Sequence, residues 1–180
     1  LTDIVRNMRS ADNTSYNSSF TYPEGGAFEY VKAIASAVKS DRICTGEALL
    51  SIDLEKRIAK TGKREIQFNR LISSAPFNKL LRLANLPHEE STFSWNKVLV
   101  YNLGFDRKGP QNIHWTYYPD RNTSFYRVGF YDNIFDTDRL SIYVELGYSK
   151  EANPDSEAML PKVLADLERE GVTKGHKLVS

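Results

Sequence analysis

Cysteine is almost absent from this chain of 180 residues: Cys44 stands alone. One thiol excludes an internal disulfide and a cysteine zinc cluster, and it suits a reducing compartment. An excess of one charge is lacking too, because 24 Lys and Arg against 23 Asp and Glu give a formal charge of +1. Attraction of the whole chain to nucleic acid or to an anionic membrane needs a basic excess, so any anion must be met by a local pocket. No apolar run approaches the roughly 20 residues of a membrane-spanning helix. The polar start at Leu1 has none of the charged and apolar regions of a secretory signal. The expectation is a cytoplasmic protein, and a start without Met suggests an internal piece of a longer one. Also missing are G-x-G-x-x-G, a P-loop, G-x-S-x-G and any H-x-x-x-H pair. These absences remove the usual dinucleotide grip, the hydrolase elbow and the helical zinc pair.

What is present has a definite order. Residues 1–8 read as a helix tail, and residues 9–24, rich in Ser, Asn and Tyr, as an irregular connection. Val31, Ile34, Ala35 and Val38 repeat at helical spacing, which predicts a helix over 27–39 with one buried face. Short apolar stretches at Leu49–Leu54, Arg57–Ala59 and Glu65–Phe68 predict a small antiparallel unit, and Leu71–Ser74 a buried strand after it. Pro76 opens a short helix, Phe77–Leu83, where its missing N–H costs least. Lys97–Phe105, Asn112–Tyr118, Phe125–Tyr131 and Leu140–Tyr148 have strand lengths and strand composition. Leu160, Val163, Leu164 and Leu167 align on a last helix near 156–170, with Pro161 in or near its first turn. Helices and strands are segregated, which predicts an α+β fold: a mostly antiparallel sheet of about four to six strands with helices packed on it. The expected domains are 1–75 and 76–180.

Chemistry concentrates in few places. Gly25 and Gly26 lie between a proline turn and a helix start, where backbone without Cβ can approach a ligand or simply make the turn. Asp132, Asp136 and Asp138 lack the dense oxygen spacing of a cation loop and read as turn formers, so no metal is expected. His88 and His176 read as solvent-facing, and Cys44 as a core or turn residue. The richest stretch is His114-Trp115-Thr116-Tyr117-Tyr118-Pro119, followed by Phe125-Tyr126-Arg127. Alternation puts Trp115 with Tyr117 on one face, and Phe125 with Arg127 on one face of the next strand. Where those faces coincide, an aromatic wall suited to a sugar stands beside a fork of donors suited to a diphosphate. The plainer alternative is a core sheet face with Arg127 paired to Asp120 or Asp132.

Taken together, these segments resemble the middle of an amine-oxidase-type flavoprotein, and most of all the UDP-galactopyranose mutases. Asn17 through Gly26 resembles that family's aromatic-Pro-Gly-Gly loop before a helix. Leu49-Leu50-Ser51-Ile52 and Leu71-Ile72-Ser73-Ser74-Ala75-Pro76 resemble strands that return to the flavin domain. Trp115-Thr116-Tyr117-Tyr118-Pro119, then Phe125-Tyr126-Arg127, then Asn133, resemble the family run W-x-Y-F-P…F-Y-R…S-N. Tyr118 replaces the usual Phe, and Asp132 stands where a Ser precedes the Asn. The resemblance implies a parent that binds FAD through an N-terminal glycine fingerprint outside this chain. It implies reduced flavin attacking an anomeric carbon through N5, so that a UDP-hexopyranose becomes a UDP-hexofuranose for cell-surface polysaccharide. It assigns Trp115, Tyr117, Arg127 and Asn133 to the substrate, and Gly25, Gly26 and Leu49 to the flavin; no catalytic residue is singled out. Residues 1–75 would be part of the flavin domain and 76–180 the substrate sheet. An amine-oxidase or protoporphyrinogen-oxidase chemistry on the same fold, and a non-catalytic sugar-nucleotide module, remain the alternatives.

A testable consequence concerns FAD. Without a glycine fingerprint to seat the pyrophosphate at a helix N-terminus, the 180-residue chain purified alone is expected to be colourless. A flavin absorbance band at one equivalent per chain would contradict the reading.

Overall fold

The computed structural model describes residues 21–180; the readings made for residues 1–20, including the helix tail, lie outside the described residues. Three helices and seven strands follow in order: α1 (Phe28–Ser36), β1 (Leu49–Asp53), β2 (Ile58–Thr61), β3 (Glu65–Gln67), α2 (Phe77–Leu83), β4 (Asn96–Gly104), β5 (Trp115–Tyr117), β6 (Arg127–Phe130), β7 (Ser141–Ser149) and α3 (Ser156–Arg169). All pairings are antiparallel, and the strands form two sheets, β1-β2-β3 and β4-β7-β6-β5. The fold is α+β. The chain divides into two compact units between Ile72 and Ser73.

In the second unit the period-two alternation of β4, β6 and β7 builds the core. Register sets Val128 opposite Val144, Phe130 opposite Ile142, and Leu103 opposite Ile142. These side chains share one face and are almost completely buried. Val163 and Leu167 of α3 join the same cluster, as do Phe105, Leu140, Leu146 and Val172. Each side chain of this size stabilises the fold by roughly 1.5–3 kcal/mol when fully withdrawn from water. The last residues close the sheet's end: Gly104 donates to the carbonyl of Ser180 at 2.8 Å, and Phe105 bridges to Leu178.

Local chemistry explains where α3 starts. Asp155 caps it, its side chain accepting from the N–H groups of Glu157 at 3.0 Å and Ala158 at 3.1 Å. Pro161 lies beyond the expected first turn, as the sixth residue of the helix, where it cannot donate to the Glu157 carbonyl. Asp166, buried in α3, accepts from the Ser124 N–H at 2.8 Å and from Lys162 at 2.9 Å, and pairs with Arg169. Burial pushes this carboxyl up, but the hydrogen bonds from Ser124, Lys162 and Arg169 outweigh it and hold it far below the usual carboxylate range. Asp166 thereby ties the helix to the loop that enters β6.

Several expectations need correction. The apolar stripe of α1 is present, but no residue of that helix is buried, and Val31 and Ile34 are more than half exposed. Amphipathic spacing states what a helix can cover; the covering surface is not among the described residues. Leu71–Ser74 forms no strand, and Ile72 is 97% exposed. A strand needs a neighbour for its N–H and C=O groups, and these residues pair with neither edge of the three-stranded sheet. His88 and His176 are half-buried rather than solvent-facing. The His88 ring contacts the Leu86 carbonyl and Glu90, and His176 the carbonyls of Lys174 and Lys108. Cys44 is exposed, in the segment before β1.

Asp166→Ala is expected to lower stability at pH 7 by about 1–3 kcal/mol, because the Ser124 N–H loses its partner while Lys162 and Arg169 remain half in water. A carboxyl held low in the fold stabilises it above its unfolded pKa of about 3.9 and ceases to do so as pH falls through the folded value. Thermal melts should therefore show a full gap between wild type and variant from pH 7 to 5, shrinking below about pH 4. An equal melting temperature at pH 7 would refute the role.

Candidate functional site

The face of the four-stranded sheet opposite the core carries the chemistry. Register sets Trp115 opposite Gly129 and Gly129 opposite Tyr143; in the next row Tyr117 stands opposite Arg127 and Arg127 opposite Glu145. Alternation turns both rows away from Val128 and Val144. Gly129 makes room for an aromatic ring: a Cβ there would lie 1.9 Å from Cε1 and 2.0 Å from Cζ of Tyr143. The Tyr143 ring thus lies directly over the backbone of β6, and it also contacts the Tyr131 ring, tilted, at 5.1 Å between centroids. Trp115 and Tyr117 complete a partly open aromatic surface, 36% and 58% exposed.

Arg127 is held from three sides. Its guanidinium carbon is 5.9 Å from the centroid of Tyr117 and 5.6 Å from that of Tyr143, within the range of a cation–π attraction. Nη2 donates to Glu145 Oε1, and Nη1 points to the Tyr117 hydroxyl at 3.4 Å. Nε is buried without a hydrogen-bond partner. The second oxygen of Glu145 accepts from the Tyr126 hydroxyl at 2.5 Å. Burial pushes the Glu145 carboxyl up, but Arg127 and Tyr126 outweigh it and keep it below the usual carboxylate range. The same hydrogen bond to Glu145 raises the Tyr126 phenol and, helped by Tyr117, the Arg127 guanidinium. Arg127 is therefore a permanent cation, already compensated by one carboxylate.

The sequence set Trp115 with Tyr117 on one face and Arg127 on a face of the next strand, and the structure makes those two faces one. Two details differ. Arg127 pairs with neither Asp120 nor Asp132 but with Glu145; Asp120 instead accepts from the Asn122 N–H in its own turn, and Asp132 is buried, which raises its carboxyl. Phe125 does not share the Arg127 face: it is 2% exposed and packs edge-on against Tyr118 in the core. The reason is an extra residue at the entry of β6. The Tyr126 N–H donates to the Glu145 carbonyl, the residue already opposite Arg127, so both residues face Glu145 as in a β-bulge. Nothing in a single sequence announces that extra residue.

Asn133 follows β6. Its amide donates to the carbonyls of Pro110 and Ile113, both at 2.8 Å, which braces the loop before β5. With Gln111, Asn112, His114 and Asp136 it also lines a polar recess of about 370 Å³. A larger cavity of about 510 Å³, between α2 and Trp95, contains none of the residues assigned to substrate or flavin. Gly25, Gly26 and Leu49 belong to the first unit. Gly25 and Gly26 have φ of +85° and +98°, and nothing lies within 4 Å of where a Gly26 side chain would start. That bare backbone in the left-handed region fits close approach by a flat ring. Leu49 lies on the edge strand β1, where pairing with β2 slips by one residue before Ser51. Gly129, Tyr143 and Glu145 escaped the sequence reading, which named Tyr126 only as part of the aromatic run. Two signals were there: a lone acid inside the apolar run of β7, and a glycine inside an aromatic strand. Among the described residues no group of three or more His, Cys, Asp or Glu could hold a metal ion, and no helix is long and apolar enough to cross a membrane.

Gly129→Ala is expected to expel the Tyr143 ring and to cost about 1–3 kcal/mol as an overpacked contact. Adding Tyr143→Ala to that variant should return part of the loss, because the clash is with the ring alone. Melts of the two single variants and the double variant measure the coupling; strictly additive losses would mean that the ring does not lie on Gly129.

No family model and no curated protein matches the chain. Among solved structures it is similar to one titled as the crystal structure of reduced UDP-galactopyranose mutase, with a TM-score of 0.77 and 19% sequence identity. The match covers 88% of this chain and 39% of that one, so the chain spans about two fifths of the length of the structure that it resembles. At this identity the likeness establishes the fold: the described architecture is one that a UDP-galactopyranose mutase also uses.

Proposed function

We propose that this chain is the substrate-binding part, with a portion of the flavin-binding part, of an FAD-dependent enzyme that converts a UDP-hexopyranose to a UDP-hexofuranose. The observation that carries the reading is the aromatic sheet face with Arg127 clamped at its centre, open to solvent at Trp115 and Tyr117. Fold similarity to a mutase supports it, and fold alone would not, since function resides in the site. In this reading the unit up to Ile72 belongs to the flavin-binding part and the unit from Ser73 to the substrate-binding part, within a cytoplasmic parent.

The geometry supports the following roles. Trp115 and Tyr117 offer flat apolar surface to the sugar and nucleoside, with polar tips for hydroxyl groups. Arg127 Nη1 and the Tyr117 hydroxyl form a donor pair for a phosphoryl oxygen, which orients the diphosphate leaving group and offsets the charge it gathers as it departs. Asn133, whose amide hydrogens are committed to the loop, would offer its carbonyl oxygen to a sugar hydroxyl through the polar recess. Gly25 and Gly26, lacking Cβ, and the edge strand at Leu49 are the residues that would hold FAD. When bound and reduced, that cofactor would supply the nucleophile for the anomeric carbon.

The test uses the full-length protein that contains this chain. Arg127→Ala is expected to weaken UDP binding by roughly 1.5–3 kcal/mol, the worth of a hydrogen bond to a charged group. Arg127→Lys should recover little, because an ammonium on a flexible stem cannot span Glu145 and a phosphoryl group as the planar fork does. Flavin content should not change. Titration of UDP into the three proteins, beside chromatography of UDP-sugars incubated with reduced enzyme, decides the matter. Unchanged UDP affinity in the alanine variant, or no furanose product from wild type, would overturn the proposal.

A further inference from the structure

We infer that Glu145 is the positioning residue of the sheet-face site, fixing Arg127 so that its Nη1 edge, next to the Tyr117 hydroxyl, is presented to an anion. The inference rests on the reading of Arg127 as the diphosphate contact and narrows it to end-on recognition of one phosphoryl group.

The argument begins with the donors of a guanidinium. Arg carries five N–H donors in a rigid fork. In this site one N–H of Nη2 is taken by Glu145, and Nε is buried without a hydrogen-bond partner. What remains is the second N–H of Nη2 and the Nη1 group, whose neighbour is the hydroxyl of Tyr117, a residue 58% exposed. A separation of 3.4 Å leaves that contact weak, so one acceptor oxygen placed between the two would improve both hydrogen bonds. Side-on capture of a diphosphate through Nε and Nη2 would require Arg127 to release Glu145.

Glu145 is built to prevent that release. Its side chain is only 12% exposed, so it does not meet the ligand itself. Both of its oxygens are occupied, one by Arg127 and one by Tyr126 at 2.5 Å. It sits on β7, the strand hydrogen-bonded to both β4 and β6, where the backbone is least free to adjust. The carboxylate cannot swing aside without breaking a hydrogen bond in a half-buried place. It also cancels the charge of Arg127, so the site meets its ligand with a directed donor pair rather than a bare cation. Such a site selects by the position of an oxygen more than by total negative charge.

The experiment measures UDP affinity and arginine side-chain order in the full-length protein and its variants. Glu145→Ala should weaken UDP binding tenfold or more. Glu145→Gln, which can still accept from Nη2, should recover most of that loss. In the 180-residue chain the 15N–1H signals of the Arg127 guanidinium should be sharp and slowly exchanging, vanish in Glu145→Ala, and persist in Glu145→Gln. Where the alanine variant melts below the assay temperature, Glu145→Asp replaces it: one methylene shorter, it should lose UDP affinity in the same direction. UDP affinity equal to or tighter than wild type in the alanine or aspartate variant would overturn the proposal, since Glu145 would then merely compete with the ligand. Absence of UDP binding by wild type would end the reading of the function. Positioning would then be decided by the guanidinium signals alone, and signals unchanged in Glu145→Ala would overturn it.

Discussion

The pairing of Glu145 with Arg127 across β7 and β6 constrains the whole open face of this sheet. An acid on the strand between β4 and β6, with only 9% of Glu145 left exposed, is costly to withdraw from water. The cost is offset only while both oxygens have donors, which fixes Arg127 and Tyr126 at once. The fixed guanidinium then organises the rings beside it. Tyr117 and Tyr143 flank it, and Tyr143 can reach that place only because Gly129 has no side chain. Removing either the acid or the glycine would disturb the aromatic surface without touching the core on the far side. The two faces of one sheet thus answer to different requirements: burial on one, compensated polarity on the other.

Much of the architecture was legible because local signals and tertiary pairing agree. The aromatic and β-branched runs became β4 to β7, and the helical stripe at Leu160, Val163, Leu164 and Leu167 became α3. Alternation set Trp115 and Tyr117 on one face, and the pairing of β5 with β6 adds Arg127 to it. What alternation could not supply was the extra residue at Tyr126, which sends Phe125 into the core, because a bulge is decided by pairing with another strand. The true partner of Arg127 was equally out of reach. Asp120 and Asp132 are close in sequence, whereas Glu145 is 18 residues away and adjacent only through the register of β6 with β7. The failed strand at Leu71–Ser74 has the opposite cause: its composition is that of a strand, but no neighbour offers it hydrogen bonds among the described residues.

The first unit shows what such unfulfilled signals have in common. Among its described residues only Ile52 and Ala59 are buried hydrophobics, while Val31, Ile34, Ile43, Leu50 and Ile72 are exposed. Two buried side chains cannot balance the conformational entropy of some 50 ordered residues. The sequence nonetheless encodes helix α1 with a clean apolar stripe and β1 with an open edge. Local patterning of that quality without a core fits a segment whose complementary surface is supplied elsewhere in a larger protein. The similarity to a mutase structure of which this chain matches 39% is consistent with that account.

That difference between the units bears on how the site works. The substrate face proposed here is stabilised from behind by a complete core of its own, with Val128, Ile142, Val144 and Leu167 fully enclosed. The residues proposed for the flavin, Gly25, Gly26 and Leu49, sit in the unit that lacks one. A preorganised donor pair needs a rigid base, since a displacement of about 1 Å already costs much of an oriented contact. The second unit provides it through β7, which joins the core face to the Glu145 face in a single strand. In the proposed reading, recognition of the diphosphate end draws on the unit with a core of its own, whereas use of a flavin draws on the unit without one.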